Sequence, residues 1–379
     1  MTKKTRLIIL LSCALLFFVI TPYIILYSLG YRVDVKKFKV VATGGIYVKA
    51  SPQGVTISID HKTGNTTGIF SNTVFVQNLL PQNHSILITK DGYYDYQKNL
   101  DVKENEVTKL EHVMLFKKNI IFEAVADPKK SPFNTPLLQD SYIIKNNHLY
   151  LNENLAASQN PSVNLPDSTQ ATTPIIKSII TYKVQDNHII WLGQDGFLHR
   201  SDLQGKNTEI LNKTKLIIDQ KSLYELLVLD GNIFLKENSG VLLFDTSKKD
   251  FTNFYNPVTD LKISPDGQKI LFYNDHEILY SPTNSLGQDT IFLNRFSEKI
   301  NDCYWVGSDY IVFDLAGKII ISEIDVRGNI NSIELPQTLS LINGSTITLQ
   351  NPNIYFDEQE KKLYILTGKT VLVSEKLTP

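Results

Sequence analysis

The chain has 379 residues, 42% of them hydrophobic, with 38 Lys and Arg against 39 Asp and Glu and a formal charge of −1 at pH 7. That balance offers no basic field for nucleic acid, and the hydrophobic share supports packed cores in two or three domains over a disordered chain. Of the two cysteines, Cys13 lies in an apolar run and Cys303 stands alone far beyond it, so no internal disulfide staples the rest and stability rests on burial.

The apolar run is Leu7 to Leu29, without a charged side chain. As a helix rising 1.5 Å per residue it reaches about 34 Å, against roughly 30 Å of bilayer hydrocarbon, and it reads as a transmembrane helix. Lys3, Lys4 and Arg6 precede it, and Tyr23 and Tyr27 lie near its far end. Residues 1–6 are therefore expected as a cytoplasmic tail and everything after the span as extracytoplasmic. Arg32, Lys36, Lys37 and Lys39 pull against that orientation, which the large polar domain favours. Two other readings stay open. One is a signal peptide cut after Gly30, although its apolar region is longer than such peptides use. The other is lipidation at Cys13 behind Leu10-Leu11-Ser12. Without the three inner cations the outer part holds 35 basic against 39 acidic residues, about −4.

Residues 30–43 read as a stalk. Beyond Gly44 short strands alternate with turns: Val55, Ile57 and Ile59 share one face, Thr73 to Val76 and Ser85 to Thr89 follow, Asp91-Gly92 turns the chain, and Tyr93 to Leu100 and Val107 to Leu115 complete a small β-sandwich. In the strand after the turn, Tyr94 and Tyr96 are expected on the buried face and Tyr93 opposite. Pro52-Gln53-Gly54-Val55, Asn78-Leu79-Leu80-Pro81 and Ser85 to Tyr93, with its lysine-x-glycine-tyrosine corner at Lys90, Gly92 and Tyr93, resemble the PEGA domain over residues 44–117. The pattern departs at Gln53 and Val55, lacks the proline expected near Gly68, and has Gln82-Asn83 where a glycine is usual; these are turns, where other residues supply the bend. The resemblance implies a small surface module of bacterial envelope proteins and no catalysis.

After Lys117-Lys118-Asn119, residues 119–379 read as a β-propeller. Apolar strand centres at Ile144, Trp191, Val228, Phe272, Phe313 and Ile365 recur at intervals of 37 to 52 residues, the period of a propeller blade. One period resolves into four strands, Glu225 to Leu229, Asn232 to Glu237, Val241 to Asp245 and Phe251 to Phe254. Asp260 to Phe272 repeats as Asp302 to Phe313. Its Ser264-Pro265-Asp266-Gly267 hairpin resembles that of TolB-like propellers and, more loosely, the WD-type class; Pro265 fixes φ and Asp266-Gly267 suits the reversal. Six blades are expected, with five or seven as the alternatives, and residues 152–174, rich in Asn, Ser, Thr, Ala and Pro, read as a loop insertion on the rim.

The motifs assign no catalytic, cofactor-binding or metal-binding residue, and no binding residue by number. His61, His84, His112, His148, His188, His199 and His276 never fall two to four apart, so no helical zinc pair exists. Gly368-Lys369-Thr370 lacks the first glycine of a phosphate loop and reads as a hairpin turn. Gly307-Ser308 and Gly344-Ser345 are loop pairs without a nucleophile elbow, Asp357 to Lys362 reads as a solvated hairpin tip, and Cys303, Trp191 and Trp305 read as core. The function expected is a membrane-anchored, extracytoplasmic, non-enzymatic module that binds an envelope protein or glycan. The alternatives are a propeller hydrolase with its site in the central channel and a purely structural spacer.

Overall fold

The computed structural model describes residues 3–34, 38–62, 72–126, 132–133, 142–151 and 173–378. Among these the chain is all-β apart from an N-terminal helix and a short 3-10 turn at Thr283–Ser285. It packs as two compact units, one of residues 1–121, 322–334 and 375–379, the other of residues 122–321 and 335–374.

The first unit begins with the helix Lys3–Ser28. Its Leu, Ile and Phe side chains are exposed all round, and by length and composition it can cross a membrane. Gly30, at φ +85°, ends it. The segment read as a stalk holds a two-stranded antiparallel ribbon, Tyr31–Asp34 against Lys39–Ala42.

The sandwich follows as two three-stranded sheets. One has the order Thr73–Leu79, Gly44–Ser51, Val107–Met114, and the other Thr56–Ile59, Asn83–Thr89, Tyr96–Asp101. The alternation read from the sequence holds: Val55, Ile57 and Ile59 are buried, together with Ile86, Ile88, Tyr96 and Leu100 from the same sheet and Ile46, Val48, Leu110 and Val113 from the other. Each such side chain contributes about 1.5–3 kcal/mol when fully buried. Gly44–Ser51, not among the strands read from the sequence, is the centre of its sheet and runs parallel to Val107–Met114. It starts on a glycine because a Cβ at Gly44 would stand 2.3 Å from the Lys103 carbonyl oxygen. The strand expected from Tyr93 begins at Tyr96. Tyr93 lies before it in an isolated bridge to Lys117 and packs against the core, so it does not face away as expected. The turn around Gly68 lies outside the described residues.

In the second unit, sheets succeed one another in chain order. The strands Tyr142–Lys145, His148–Leu151 and Ile176–Lys177 form a three-stranded sheet, antiparallel four-stranded sheets span 179–210, 224–255 and 260–295, and Ile300–Val306 and Tyr310–Leu315 pair in the next sheet. The strands Tyr224–Leu229, Asn232–Glu237, Gly240–Asp245 and Asp250–Tyr255 match the sequence reading to within a residue at each end. In the last sheet Asn353–Asp357, Lys362–Thr367 and Thr370–Ser374 are joined by Ile121–Ala124, paired through Leu372↔Ala124 and Ser374↔Phe122.

Apolar clusters lie between consecutive sheets: Tyr142 and Leu149 with Ile189 and Trp191, Leu192 and Leu198 with Leu226 and Leu235, and Phe234 and Val241 with Leu261 and Phe272. The first strands of neighbouring sheets also touch: Ile179–Gln185 meets Tyr224–Leu229, Asp260–Ile263 meets Ile300–Val306, and that strand meets Asn353–Asp357. Sheets stacked face to face in sequence order, with one strand from the start of the unit completing the last sheet, make a β-propeller. Residues 152–172 of the expected rim insertion lie outside the described residues.

Candidate functional site

The first strands of the last three sheets alternate in the same way. Leu261, Cys303 and Ile354 are buried, so the residues on either side of each must face the other way. Those neighbours are Asp260 and Lys262, Asp302 and Tyr304, and Asn353 and Tyr355. The repeat thus delivers polar and aromatic side chains to one place from strands that touch.

Lys262 is the centre. Its Nζ donates to Asp260 Oδ2 at 2.6 Å and to Asp302 Oδ1 at 3.3 Å, and it lies 4.2 Å from the ring centre of Tyr304 and 5.4 Å from that of Tyr273. Asp302 accepts from both phenols, Tyr273 at 3.0 Å and Tyr304 at 2.8 Å. The two repeat aspartates also hold the backbone in the same way, Asp260 accepting from the Leu261 N–H at 2.8 Å and Asp302 from the Cys303 N–H at 2.9 Å. Trp305 Nε1 donates to the Lys262 carbonyl at 2.9 Å, tying one sheet to the next. Tyr355 stacks edge-on against Tyr304 at 5.5 Å. The cluster is half open: Asp302 keeps 32% and Lys262 22% of its side-chain surface.

Burial pulls the Lys262 ammonium down, but Asp260 and Asp302 outweigh it and hold the group above the ordinary lysine value. Burial, then the charge of Asp302, pushes the Tyr273 and Tyr304 hydroxyls far above the usual phenol range, and burial pushes the Cys303 thiol up. The cluster therefore presents an ammonium and neutral phenols beside the Asp260 and Asp302 side chains. It can donate and accept hydrogen bonds, stack and hold charge; its lysine, tyrosines and cysteine are kept out of their nucleophilic forms.

Most residues weighed in the sequence fall where their bland readings put them, but Glu358, in the tip read as solvated, is half-buried and accepts from the Gly307 N–H at 2.9 Å. Gly368-Lys369 turns between Lys362–Thr367 and Thr370–Ser374, and residues 358–361 turn after Asp357, whose Oδ1 accepts from the Gln359 and Glu360 N–H groups. Trp191, Trp305 and Cys303 are buried. In the Ser264 to Gly267 hairpin, Ser264 Oγ donates to Asp266 Oδ1 at 2.5 Å and accepts from the Lys269 N–H at 2.9 Å, so the motif shapes a turn. Among the described residues no group of histidine, cysteine and carboxylate side chains is placed to hold a metal ion. The internal repeat in the sequence sets Asp260 beside Asp302 without a role for either. The signal was the residue two places on from each, Lys262 and Tyr304, on the same face of its strand.

The first unit has a cavity of about 660 Å³ lined by Pro52, Gln53, Tyr93, Phe116, Ile120 and Leu377, among others. Two of its cations are engaged: Lys90 Nζ donates to the Gln53 carbonyl and Lys117 Nζ to Glu375 Oε2, each at 2.5 Å. The wall is made partly by the Pro52-Gln53 turn and the Lys90 to Tyr93 corner.

Residues 43–115 match the PEGA domain. No curated protein matches the chain. Among solved structures, "YCF48 bound to D1 peptide" is similar at a TM-score of 0.33 and 12% identity, covering 56% of this chain and 67% of that one. The β-propeller domain of Cps50 (Swd1) from Myceliophteria thermophila is similar at a TM-score of 0.36 and 8% identity, covering 78% of this chain and 93% of that one.

Proposed function

We propose that the chain is a non-enzymatic recognition module, held at the outer face of the cell membrane by its N-terminal helix, that binds an envelope protein or glycan through the inner strands of its propeller. The observation that carries this reading is the Lys262, Asp302, Tyr304 and Tyr355 cluster. Half-open aromatic rings beside two carboxylates suit a ligand that offers hydroxyls or a positive group, whether sugar or peptide. The PEGA match and the propeller fold support a binding or structural module, and the apolar helix supports an anchor.

The test is retention of envelope-extract proteins and arrayed glycans by the full chain in detergent, against Asp302→Asn and Tyr304→Ala. Residues at the centre of such a site are expected to carry about 1–2 kcal/mol or more, roughly a tenfold loss of affinity. Equal retention by all three proteins sinks the site. Hydrolysis of a glycan or peptide that Asp302→Asn abolishes replaces the binding reading with the enzyme. For topology, a reporter active only outside the cytoplasm, fused after Pro379, is expected to be active.

A further inference from the structure

The ribbon that follows the helix is amphipathic. Register pairs Tyr31 with Ala42 and Val33 with Val40 on one face, and Arg32 with Val41 and Asp34 with Lys39 on the other. Past the buried Ala42 the apolar face is uncovered: Val33 is 51% exposed and Val40 55%, and Phe38, just before the second strand, is 86% exposed. Phe38 also sits at φ +51°, a conformation costly for a bulky residue and usually given to Gly or Asn. The chain thus accepts backbone strain to hold an aromatic ring out in the open.

The ribbon is not free to swing. Only Leu29 and Gly30 separate it from the helix, and Thr43, just past its end, donates through N and Oγ1 to the Gly30 carbonyl at 3.0 and 2.6 Å. Arg32 fixes it further, donating to the carbonyls of Tyr27 and Tyr31 at 2.8 Å and to Asn78 Oδ1 at 2.9 Å, with its guanidinium 3.5 Å from the Tyr27 ring centre. Where the helix leaves hydrocarbon, the ribbon must therefore lie at the headgroup level. Lys39, next to Phe38, is also exposed, a cation that suits lipid phosphates.

We propose that the strands Tyr31–Asp34 and Lys39–Ala42 form a second membrane contact, with Val33, Phe38 and Val40 entering the headgroup and acyl boundary of a phospholipid surface that carries anionic lipid. This rests on the helix being a membrane span. The ribbon would then set the depth and tilt at which the first unit stands on the bilayer.

The test uses the full chain with Cys13→Ser, reconstituted in vesicles of phosphatidylcholine and phosphatidylglycerol. Nitroxide labels are placed singly through Val33→Cys, Phe38→Cys, Val40→Cys and Lys39→Cys, with Leu16→Cys in the helix as a reference. Cys303 has no exposed surface to label. Collision with oxygen, which concentrates in lipid, is compared with collision with a water-soluble nickel chelate. Labels at 33, 38 and 40 are expected to shift toward oxygen relative to the label at 39, to a depth shallower than that at 16. Free access of nickel to 33, 38 and 40, with 16 still deep, overturns the ribbon and leaves the anchor standing. Nickel access at 16 as well overturns both. Dipolar broadening between labels assigns the face to a second copy, and shielding from both reagents without broadening assigns it to another protein surface; either result overturns the lipid contact.

Discussion

On the strand Tyr96–Asp101 the inward positions are Tyr96, Lys98 and Leu100, and Lys98 has no exposed surface at all. The three protons of its ammonium are all used, on Glu323 Oε1 at 2.7 Å and on the carbonyls of Asp325 and Asn329 at 2.8 and 3.0 Å. Lys98→Met keeps a stem of similar length and removes the charge. Glu323 would retain the Tyr96 hydroxyl at 2.8 Å and the Asn331 N–H and Nδ2 donors at 2.8 Å, but would lose the buried ammonium that pairs with it at 2.7 Å. Removing one partner of a buried pair costs about 3–5 kcal/mol, which at about 1.4 kcal/mol per decade is a change of roughly two to three and a half decades in a local opening equilibrium. Hydrogen exchange reads that directly. Amides of 96–101 and 322–334 are expected to exchange about a hundredfold faster or more in Lys98→Met by the same conversion, with part of the protection recovered when Glu323→Gln is added. Unchanged exchange in both segments would refute the reasoning, because the ammonium would then contribute nothing that the remaining donors do not.

Two further changes test other parts of the account. Gly44→Ala places a methyl within 2.3 Å of one carbonyl oxygen and 2.8 Å of another, so it is expected to lower sandwich stability by about 1–3 kcal/mol in denaturant unfolding; a wild-type midpoint contradicts the close approach. Burial pushes the Glu358 carboxyl from 4.5 up to about 7 against the opposing pull of the Gly307 N–H. A raised acid favours the folded state below its unfolded value and loses that contribution as pH rises through the folded one. Stability of the second unit is therefore expected to decline between pH 4.5 and about 7 by a component that Glu358→Gln removes; identical pH profiles for the two proteins would exclude Glu358 as its source.

What the sequence made legible was local. Alternation at Val55, Ile57 and Ile59, turn chemistry at Ser264 to Gly267, and the four hairpinned strands of 224–255 all depend on residues close in the chain, and all appear in the structure. The expected strand centres fall one to a sheet, but Ile144 and Val228 lie on first strands and Trp191, Phe272, Phe313 and Ile365 on second strands, which accounts for the uneven spacing. Remote pairings were hidden. Gly44–Ser51 opens with two glycines and finds its parallel partner at Val107–Met114, and Ile121–Ala124 joins a sheet whose other strands lie between Thr338 and Ser374. Lys98 was hidden for a different reason: a lysine in an alternating strand reads as solvated, and only residues 323–331 supply the groups that let it be buried. The candidate site combined both obstacles, since Asp260, Lys262, Asp302, Tyr304 and Tyr355 each look like surface residues until three repeats are brought side by side.

The central claim is that the inner-strand cluster faces a partner at the envelope, and site-directed photo-crosslinking in intact cells tests it most directly. A photoreactive amino acid is placed at Tyr355, and separately at Asn253, an exposed position on the fourth strand of the 224–255 sheet. The account predicts a discrete adduct from position 355 that is absent from position 253 and lost when Asp302→Asn is combined with the label. An adduct equal at both positions, or one indifferent to Asp302→Asn, would contradict it.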